Sequence, residues 1–412
     1  MRSDLREGEI VAFSNAFTGW TRAQKSVVIA SFLGWTLDAF DFFLVVFVMK
    51  DIAAEFGADR KAVAAAITLT LALRPLGAFI FGSLADRFGR RPILMLDVGL
   101  YSLLGLITAF APNLIAFLII RSLFGIAMGG EWGIGASLTM ETIKPESRGL
   151  VSGLLQSGYP TGYLLAAIVY ATLFPHLGWR GMFIVGALPA FLVLYIRRHV
   201  PESPGWSAAQ SGRSNLFAVL REHWRIAVYG IALMTAFNFL SHGTQDIYPT
   251  FLQLQHKFDA HVTGSIAVVY NIGAIIGGWT FGLWSQIWGR RRAIIVAAAL
   301  CVPVAYLWAY STTVVTLAGG AFLMQVCVQG AWGVIPAHLN ELSPPSVRAT
   351  FPGTIYQLGN LIASSNAILQ TWIAERDSDN YAFALAIVAV CAAIAVMVLT
   401  ALGREAREAK LS

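Results

Sequence analysis

A histidine and an aspartate, His242 and Asp246, stand four residues apart in the sequence NFLSHGTQDIYPT. Residues with this spacing lie on one face of a helix, one turn from each other. The carboxylate favours the charged imidazole, whereas burial opposes it, so the two groups can bind and release a proton as one unit. The spacing therefore predicts a site at which a proton binds.

The same stretch carries a polar stripe. Asn238, Ser241, His242 and Gln245 recur at steps of three and four residues, which places them on one side of a helix. A polar stripe in apolar surroundings must face protein or water, because lipid cannot satisfy its hydrogen bonds. Two roles fit these residues and Asp246: they bind substrate and proton, or they form a hydrogen-bonded seam with the apolar stretch near residue 38.

Further charged residues stand inside apolar stretches, where a charge is costly and indicates function. Asp38 and Asp41, three residues apart, are candidate proton carriers. Arg74, in TLALRPLGA, presents a planar fork that suits a carboxylate ligand. Two compatible roles fit Arg74: binding an organic anion and pairing with Asp38 or Asp41. Glu131 fits either a proton carrier or a buried pair with an arginine.

Amide and phenol side chains complete the candidate substrate contacts. Gln357 and Asn360 stand three residues apart in YQLGN, and Tyr159 stands among glycines in SGYPTGY. Tyr159 fits either a cavity wall or the membrane interface, where tyrosine is enriched. The three cysteines stand in separate apolar stretches without metal-ligand spacing, and no cofactor-binding loop is present. The sequence therefore predicts no metal site and no cofactor.

Long apolar stretches carry all of these residues. The 412-residue chain is 57% hydrophobic and only 13% charged, too little charge for the surface of a water-soluble protein. About 20 apolar residues suffice to cross a bilayer as a helix. Twelve such segments, numbered here 1 to 12, lie near residues 26–49, 62–82, 92–111, 114–139, 150–173, 181–197, 226–252, 262–284, 293–310, 314–337, 350–373 and 381–402. The sequence predicts an all-α polytopic membrane protein with twelve transmembrane helices.

Lysine and arginine are distributed unevenly between the connections. If both termini are cytoplasmic, 21 of them fall on the inside and 6 on the outside, with two more inside segments. An excess of positive charge marks the cytoplasmic side of a membrane protein. We therefore expect a multi-pass protein of the cell membrane, surrounded by lipid, with both termini in the cytoplasm. The distribution of the basic residues indicates the orientation of the chain in the membrane, and it predicts no nucleic-acid partner.

The sequence repeats itself with an offset of 200 residues. GSLADRFGRR at 82–91 matches GLWSQIWGRR at 282–291, and GEWGI at 130–134 matches GAWGV at 330–334. Six segments separate the copies, so both have the same topology. We expect an N-terminal six-helix half at 1–198, a cytoplasmic linker at 199–224 and a C-terminal six-helix half at 225–412. In proteins built this way the substrate site lies between the halves, near the middle of the bilayer.

The loop at 82–91 resembles the most distinctive motif of the major facilitator superfamily, and Arg121 with the glycines after it resembles a second motif. The resemblance covers the whole chain. It implies the major facilitator fold. Within that fold, Asp86, Arg87, Arg90 and Arg121 are expected to brace helix ends and gate closure rather than to contact substrate.

Segment 7 is similar to a signature of the carboxylate:proton symporters in the sialate:proton symporter family, to which the lactate permeases belong. The matching residues are Asn238, Ser241, His242, Thr244, Gln245, Asp246 and Thr250. TLALRPLGA and YQLGN also resemble segments of those permeases. The resemblance implies a proton-coupled symporter of small monocarboxylates such as lactate, pyruvate or acetate, working by alternating access. The chain differs from larger members of the sialic-acid branch, which have an extra pair of spans.

Two alternatives stay open. A larger organic acid, such as sialic acid or an aromatic acid, fits the same charges. A sensor that binds an acid without moving it is a further alternative, but the sequence after segment 12, GREAREAKLS, is short for a signalling domain. An enzyme is not expected, since no nucleophile constellation is present. The expected partners are an organic acid anion, a proton and lipid, and the expected state is a monomer.

Overall fold

The structure, a computed structural model, describes residues 16, 18–209, 221–407 and 409–411. Every regular element in these ranges is a helix, and the predicted all-α class is confirmed. The part before residue 199 contains α1 (Arg22–Glu55), α2 (Arg60–Phe88), α3 (Arg90–Thr108), α4 (Leu114–Met128), α5 (Glu131–Thr142), α6 (Arg148–Gln156), α7 (Gly158–Val185) and α8 (Pro189–His199). We call it the N-terminal part.

A short helix, α9 (Pro204–Ala209), follows in the predicted linker, of which residues 210–220 lie outside the described ranges. The part from residue 225 on, the C-terminal part, contains α10 (Trp224–Gln245), α11 (Tyr248–Leu254), α12 (Ala260–Trp288), α13 (Arg290–Tyr310), α14 (Val314–Trp332), α15 (Ile335–Leu342), α16 (Thr350–Ala363), α17 (Asn366–Arg376) and α18 (Tyr381–Leu402).

Within the described ranges, ten helical stretches are long and apolar enough to cross a membrane. Two features explain the difference from the twelve predicted segments. Segments 5 and 6 belong to one stretch, 145–199, in which Gly178 has a φ of 60° that favours glycine and breaks the helical path. Segment 11 is not among the ten because its amide side chains lower its mean hydropathy. Its helix is also divided at Ser364 and Ser365 into α16 and α17, of 14 and 11 residues.

Local structure repeats at the offset found in the sequence. Helices α2 and α12 begin and end 200 residues apart. Each begins at an aspartate whose side chain accepts a hydrogen bond from a backbone N–H, Asp59 from Ala62 (2.6 Å) and Asp259 from Val262 (2.8 Å). The helix bounds agree with two copies of one arrangement. The exact division at 198 and 225 stays a prediction.

Helices α2 and α4 pack with their backbones in close approach, and this contact positions Arg74. A Cβ on Gly125 would lie 2.3 Å from the carbonyl oxygen of Thr70, and one on Gly129 would lie 2.2 Å from that of Arg74. Both distances are far below van der Waals contact, so only glycine fits. Small residues of this kind allow membrane helices to approach one another.

Several hydrogen bonds join the two parts near one end, which carries the two Gly-Arg-Arg turns at 89–91 and 289–291 and is here called the Gly-Arg-Arg end. Another joins them further along the bundle, from Trp279 Nε1 to Ser157 Oγ (2.9 Å). The Asp86 carboxylate accepts hydrogen bonds from the backbone N–H groups of Ala349 (3.0 Å) and Thr350 (2.9 Å). The backbone N–H of Gly149 donates to Gln286 Oε1 (3.1 Å). These contacts hold the two parts together at this end.

Residues 409–411 lie across the same end and contact both parts. Arg148 donates to the carbonyl oxygen of Ala409 (2.8 Å), and Arg348, 200 residues later, donates to that of Leu411 (2.7 Å). The Leu411 side chain is buried in an apolar cluster that includes Val28. This short tail therefore bridges the N-terminal and C-terminal parts.

The glycine contact between α2 and α4 gives a prediction about stability. Gly125→Ala should destabilise the protein by about 1–3 kcal/mol, because the added methyl group must push the two backbones apart. The expected result is a lower midpoint of thermal unfolding for the detergent-purified variant.

The matched control is Gly319→Ala in α14, since a Cβ at Gly319 would have no atom within 4 Å. Alanine favours helix over glycine by about 0.5–1 kcal/mol, so this variant should be as stable as the parent or slightly more so. Equal midpoints for the two variants would contradict the close contact at Gly125.

Candidate functional site

A polar cavity of about 50 Å³ lies where the two parts meet. It is bounded by α1, α2, α6 and α7 of the N-terminal part and by α10, α14 and α16 of the C-terminal part. The lining residues are Trp35, Arg74, Gln156, Tyr159, Asn238, Ser241, His242, Gln245, Asp246, Gln329, Trp332, Tyr356 and Asn360. Eight residues named from the sequence are therefore brought together here.

The remaining predicted contacts lie outside this lining. Gln357 is buried and accepts a hydrogen bond from Asn360 Nδ2 at 3.5 Å, so it supports a lining residue. Asp38, Asp41 and Glu131 are buried in the N-terminal part and do not line the cavity.

Both ring nitrogens of His242 face acceptor oxygens. Nδ1 lies 3.1 Å from Asp246 Oδ2, and Nε2 lies 2.7 Å from the side-chain oxygen of Asn360. A neutral imidazole donates from one nitrogen only, whereas the imidazolium donates from both. The arrangement therefore satisfies a protonated His242 whose charge is balanced by Asp246.

The polar stripe on α10 is bonded mainly to α14. Gln245 Nε2 donates to Gln325 Oε1 (3.1 Å), and Gln329 Nε2 donates to Ser241 Oγ (3.4 Å). Asn238 Nδ2 donates within α10, to the carbonyl oxygen of Met234 (2.7 Å). These bonds do not form the alternative seam with α1, because amide side chains of α14 contact the stripe instead.

Arg74 lies at the cavity with a loosely held guanidinium. Its Nη2 is 3.4 Å from Asp38 Oδ1 and 3.5 Å from Oδ2, which is long for a charge-assisted hydrogen bond. Within the described chain, its Nε has no hydrogen-bond partner although it is buried. Of the two predicted carboxylate partners, the structure pairs Arg74 with Asp38. The long contacts leave donor capacity for a second carboxylate.

Asp41 pairs with a different arginine. Its Oδ2 is 3.1 Å from Arg121 Nη1, and both side chains are 1% exposed. The Arg121 guanidinium also lies over the Phe124 ring, 3.8 Å from the centroid. Arg121 was expected to gate closure, but its contacts place it in a buried ion pair in the N-terminal part, apart from the loop at 82–91.

The residues predicted to form a loop at 82–91 lie mostly in helices, Asp86 and Arg87 in α2 and Arg90 in α3, and their surroundings differ. Asp86 joins the two parts, and its Oδ1 also lies 3.1 Å from Arg90 Nη1. Arg90 Nη2 lies 3.1 Å from Glu141 Oε1, so Arg90 ties two carboxylates together. Arg87 is exposed, and its guanidinium lies over the Phe88 ring at 5.1 Å. Asp86 thus contacts the C-terminal part and Arg90 contacts Asp86, whereas Arg87 lies against its own neighbour. The gating role expected of the three residues stays a prediction.

Sequence reasoning missed three ionisable or polar residues near these groups. Gln156 and Gln329 line the cavity, and Asp97 is fully buried in α3. Gln156 and Asp97 have no charged neighbour in their segments, whereas Gln329 follows Gln325 by four residues, and these patterns were the available signals. Within the described ranges, no group of three or more His, Cys, Asp or Glu side chains is placed to hold a metal ion.

A larger cavity of about 660 Å³ lies between α10, α16, α17 and α18. Its lining is almost wholly apolar, with Thr235 as the one hydroxyl among hydrocarbon side chains and the thiol of Cys391. It contains no ionisable carboxylate, imidazole or guanidinium. We therefore regard the smaller polar cavity as the candidate site.

Comparison with known proteins agrees with this architecture. The family described as "Major Facilitator Superfamily" matches residues 31–245, and "Sugar (and other) transporter" matches residues 216–403. The chain is 28% identical to the carboxylic acid transporter protein homolog of Saccharomyces cerevisiae, over 84% of this chain and 60% of the yeast protein. It thus spans less than two thirds of that relative.

The sialic acid transporter NanX of Escherichia coli is 24% identical, over 92% of this chain and 94% of NanX. The proton:xylose symporter XylE has the same fold, with a TM-score of 0.74 at 18% identity, covering 94% of this chain and 98% of XylE. The helical bundle and these matches together show a multi-pass membrane transporter and not an enzyme. The chain belongs to the major facilitator superfamily.

Proposed function

We propose that the protein is a proton-coupled symporter of a small monocarboxylate such as lactate, pyruvate or acetate. The observation that carries the proposal is the meeting of Arg74 and the His242–Asp246 pair in one cavity between the two parts. The planar guanidinium of Arg74 can donate two parallel hydrogen bonds to a carboxylate, and His242 is positively charged only when it holds a proton. The similarity to relatives named for carboxylic and sialic acid transport supports an organic acid as the substrate class.

The two cations reach the cavity from opposite parts. Arg74 belongs to α2 and His242 to α10, so an anion between them attracts both parts at once. Loss of the proton from His242 removes one of these attractions and weakens binding. Substrate and proton are thereby expected to bind and leave together as the cavity opens to one side and then the other.

Cavity size favours a small acid. The cavity of about 50 Å³ has room for only a few water molecules, at about 10–15 Å³ each, so a small acid requires less movement of the parts than a large one. A second candidate, symport of a larger organic acid, rests on the aromatic side chains in the lining. Trp35, Tyr159, Trp332 and Tyr356 present flat apolar surfaces that suit an aromatic acid.

Uptake into proteoliposomes with an imposed pH gradient and a panel of labelled acids tests the function. We expect an inward proton gradient to stimulate uptake of small monocarboxylates, a protonophore to abolish the stimulation, and sodium to have no effect. Uptake driven by a sodium gradient at constant pH would overturn the proton assignment. Preference for aromatic or sialic acids would favour the second candidate.

Arg74→Lys tests the carboxylate contact. Lysine keeps the charge but loses the planar pair of donors, so uptake should fall about tenfold or more, as for the loss of a charged hydrogen bond of about 1.5 kcal/mol or more. The variant should express and enter the membrane normally. The measurement is the KM for uptake in proteoliposomes.

Arg121→Lys is the matched control, because Arg121 is paired with Asp41 and does not line the cavity. It should leave KM near that of the parent even if it lowers thermal stability. Near-normal uptake by Arg74→Lys would mean that Arg74 only neutralises Asp38.

Asp246→Asn tests proton coupling. The change removes the anionic partner of His242 but preserves shape, so gradient-driven uptake should fall more than substrate exchange. Exchange requires only that the loaded carrier reorients, whereas net symport requires release of the proton in every cycle.

Asp259→Asn, at the N-cap of α12, is the control, since asparagine caps helices as well as aspartate. It should retain both activities. Equal loss of uptake and exchange in Asp246→Asn, with a lower unfolding midpoint, would assign Asp246 a structural role.

A further inference from the structure

Two buried carboxyl groups in the N-terminal part have no partner that would neutralise them. Both side-chain oxygens of Asp97, in α3, lack a hydrogen-bond partner among the described residues, and the residue is 0% exposed. Glu131, at the start of α5, is 1% exposed, and its Oε2 also lacks a partner there. Neither residue lines the cavity between the parts.

Glycines provide the space that these carboxyl groups occupy. Asp97 Oδ1 lies 2.9 Å from the place that a Cβ on Gly130 would take, and Glu131 Oε1 lies 2.3 Å from that of a Cβ on Gly34. Gly130 and Glu131 are neighbours at the break between α4 and α5. Both carboxyl groups therefore pack against glycine positions near one interruption of the helix, where a side chain larger than hydrogen would displace them.

The charges around this pair are unbalanced. Asp97 interacts electrostatically with Glu131 and with Asp38 of α1, and the phenol of Tyr101 in α3 lies near these groups. Glu131 interacts with Asp38 and with Arg74 of α2, whose guanidinium contacts Asp38, and Arg121 is already paired with Asp41. Among the described residues, the charged groups that act on Asp97 are therefore carboxyl groups, and Glu131 has a share in a guanidinium that is in contact with Asp38.

An ionised carboxylate without a partner is strongly disfavoured in an apolar interior, where such groups are neutralised by a proton. Asparagine and glutamine in place of Asp97 and Glu131 would be neutral at every pH. A carboxyl group instead retains the capacity to release the proton when its surroundings change.

We propose that Asp97 and Glu131 form a second proton-binding site, in the N-terminal part and separate from the His242–Asp246 pair. A proton from hydronium bonds to a carboxylate oxygen of the pair and leaves one water molecule behind. The proton is released to water when movement of the helix break admits solvent. The use of this site in symport rests on the proposed function, whereas its occupancy by protons does not.

Substrate binding connects this site to Arg74. A carboxylate substrate competes with Asp38 for the Arg74 guanidinium, and the contacts of 3.4 and 3.5 Å are long enough to be displaced. Asp38 then becomes a third carboxyl group without a cation. The cluster accommodates the substrate only while its carboxyl groups hold protons, and this requirement links proton occupancy to anion binding.

Infrared spectroscopy of the purified protein without substrate tests occupancy directly. The carbonyl stretch of a protonated carboxyl group in an apolar site lies above the amide bands and shifts in deuterated solvent. We expect such a band at neutral pH and its partial loss in Asp97→Asn and in Glu131→Gln. A spectrum unchanged by both substitutions overturns the proposal. This measurement needs no transport, so it stands even if the proposed function fails.

Thermal unfolding distinguishes a neutral from an ionised aspartate. Asp97→Asn replaces a protonated carboxyl group by a neutral group of the same shape, so its unfolding midpoint should stay near that of the parent. Asp41→Asn is the matched comparison, because it leaves the buried Arg121 without its carboxylate and should lower the midpoint. Equal destabilisation by both changes would mean that Asp97 is ionised and paired, against the proposal.

Proton stoichiometry in proteoliposomes tests the role in symport. The number of protons carried with each substrate, measured from the reversal potential, should fall by about one in Asp97→Asn or Glu131→Gln while exchange is retained. Glu146→Gln, an exposed acid near the Gly-Arg-Arg end, should leave the number unchanged. An unchanged number in the two site variants, or sodium in place of protons as the coupled ion, overturns the coupling role.

Discussion

Charge neutralisation in an apolar interior is the constraint on which the rest of the structure depends. A buried arginine or carboxylate requires a partner of opposite charge or a proton, because lipid and hydrocarbon side chains solvate neither. The Arg121–Asp41 and Arg290–Glu341 pairs satisfy it by direct contacts of 3.1 and 2.8 Å. The contacts between Arg74 and Asp38 are longer, at 3.4 and 3.5 Å, and this weaker pairing leaves the Arg74 guanidinium able to attract an anion.

Much of the fold could be predicted because it depends on patterns that the sequence displays. Segment length and apolar content located the helices, and the 200-residue offset anticipated the equal bounds of α2 and α12. The division of segment 11 was not anticipated. Nothing in the local sequence distinguishes Ser364 and Ser365 from serines that continue a helix, since a serine hydroxyl can also bond back to its own turn.

The site residues that cluster in the sequence could be predicted, whereas those that stand alone in apolar segments were missed. The stripe on α10 was evident from its spacing, but its partners on α14 were not, because spacing within one helix contains no information about which neighbour it meets. Asp97 was missed although an aspartate in an apolar segment is a clear signal. The gating role expected of Arg121 stays a prediction. Its partner, Asp41, was not evident, because a motif names residues that recur together in sequence and not those that touch.

The tail at 409–411 has a consequence for how the transporter responds to its surroundings. Arg148 and Arg348, one from each part, bind its carbonyl oxygens. Guanidinium groups keep their charge at every physiological pH, and backbone carbonyls do not titrate. The strength of these two hydrogen bonds is therefore the same in acidic and alkaline media. If the Gly-Arg-Arg end opens during transport, these two arginine contacts contribute a constant resistance. Sensitivity to acidity then comes from the groups that titrate, both Asp86 at this end and those in the interior of the bundle.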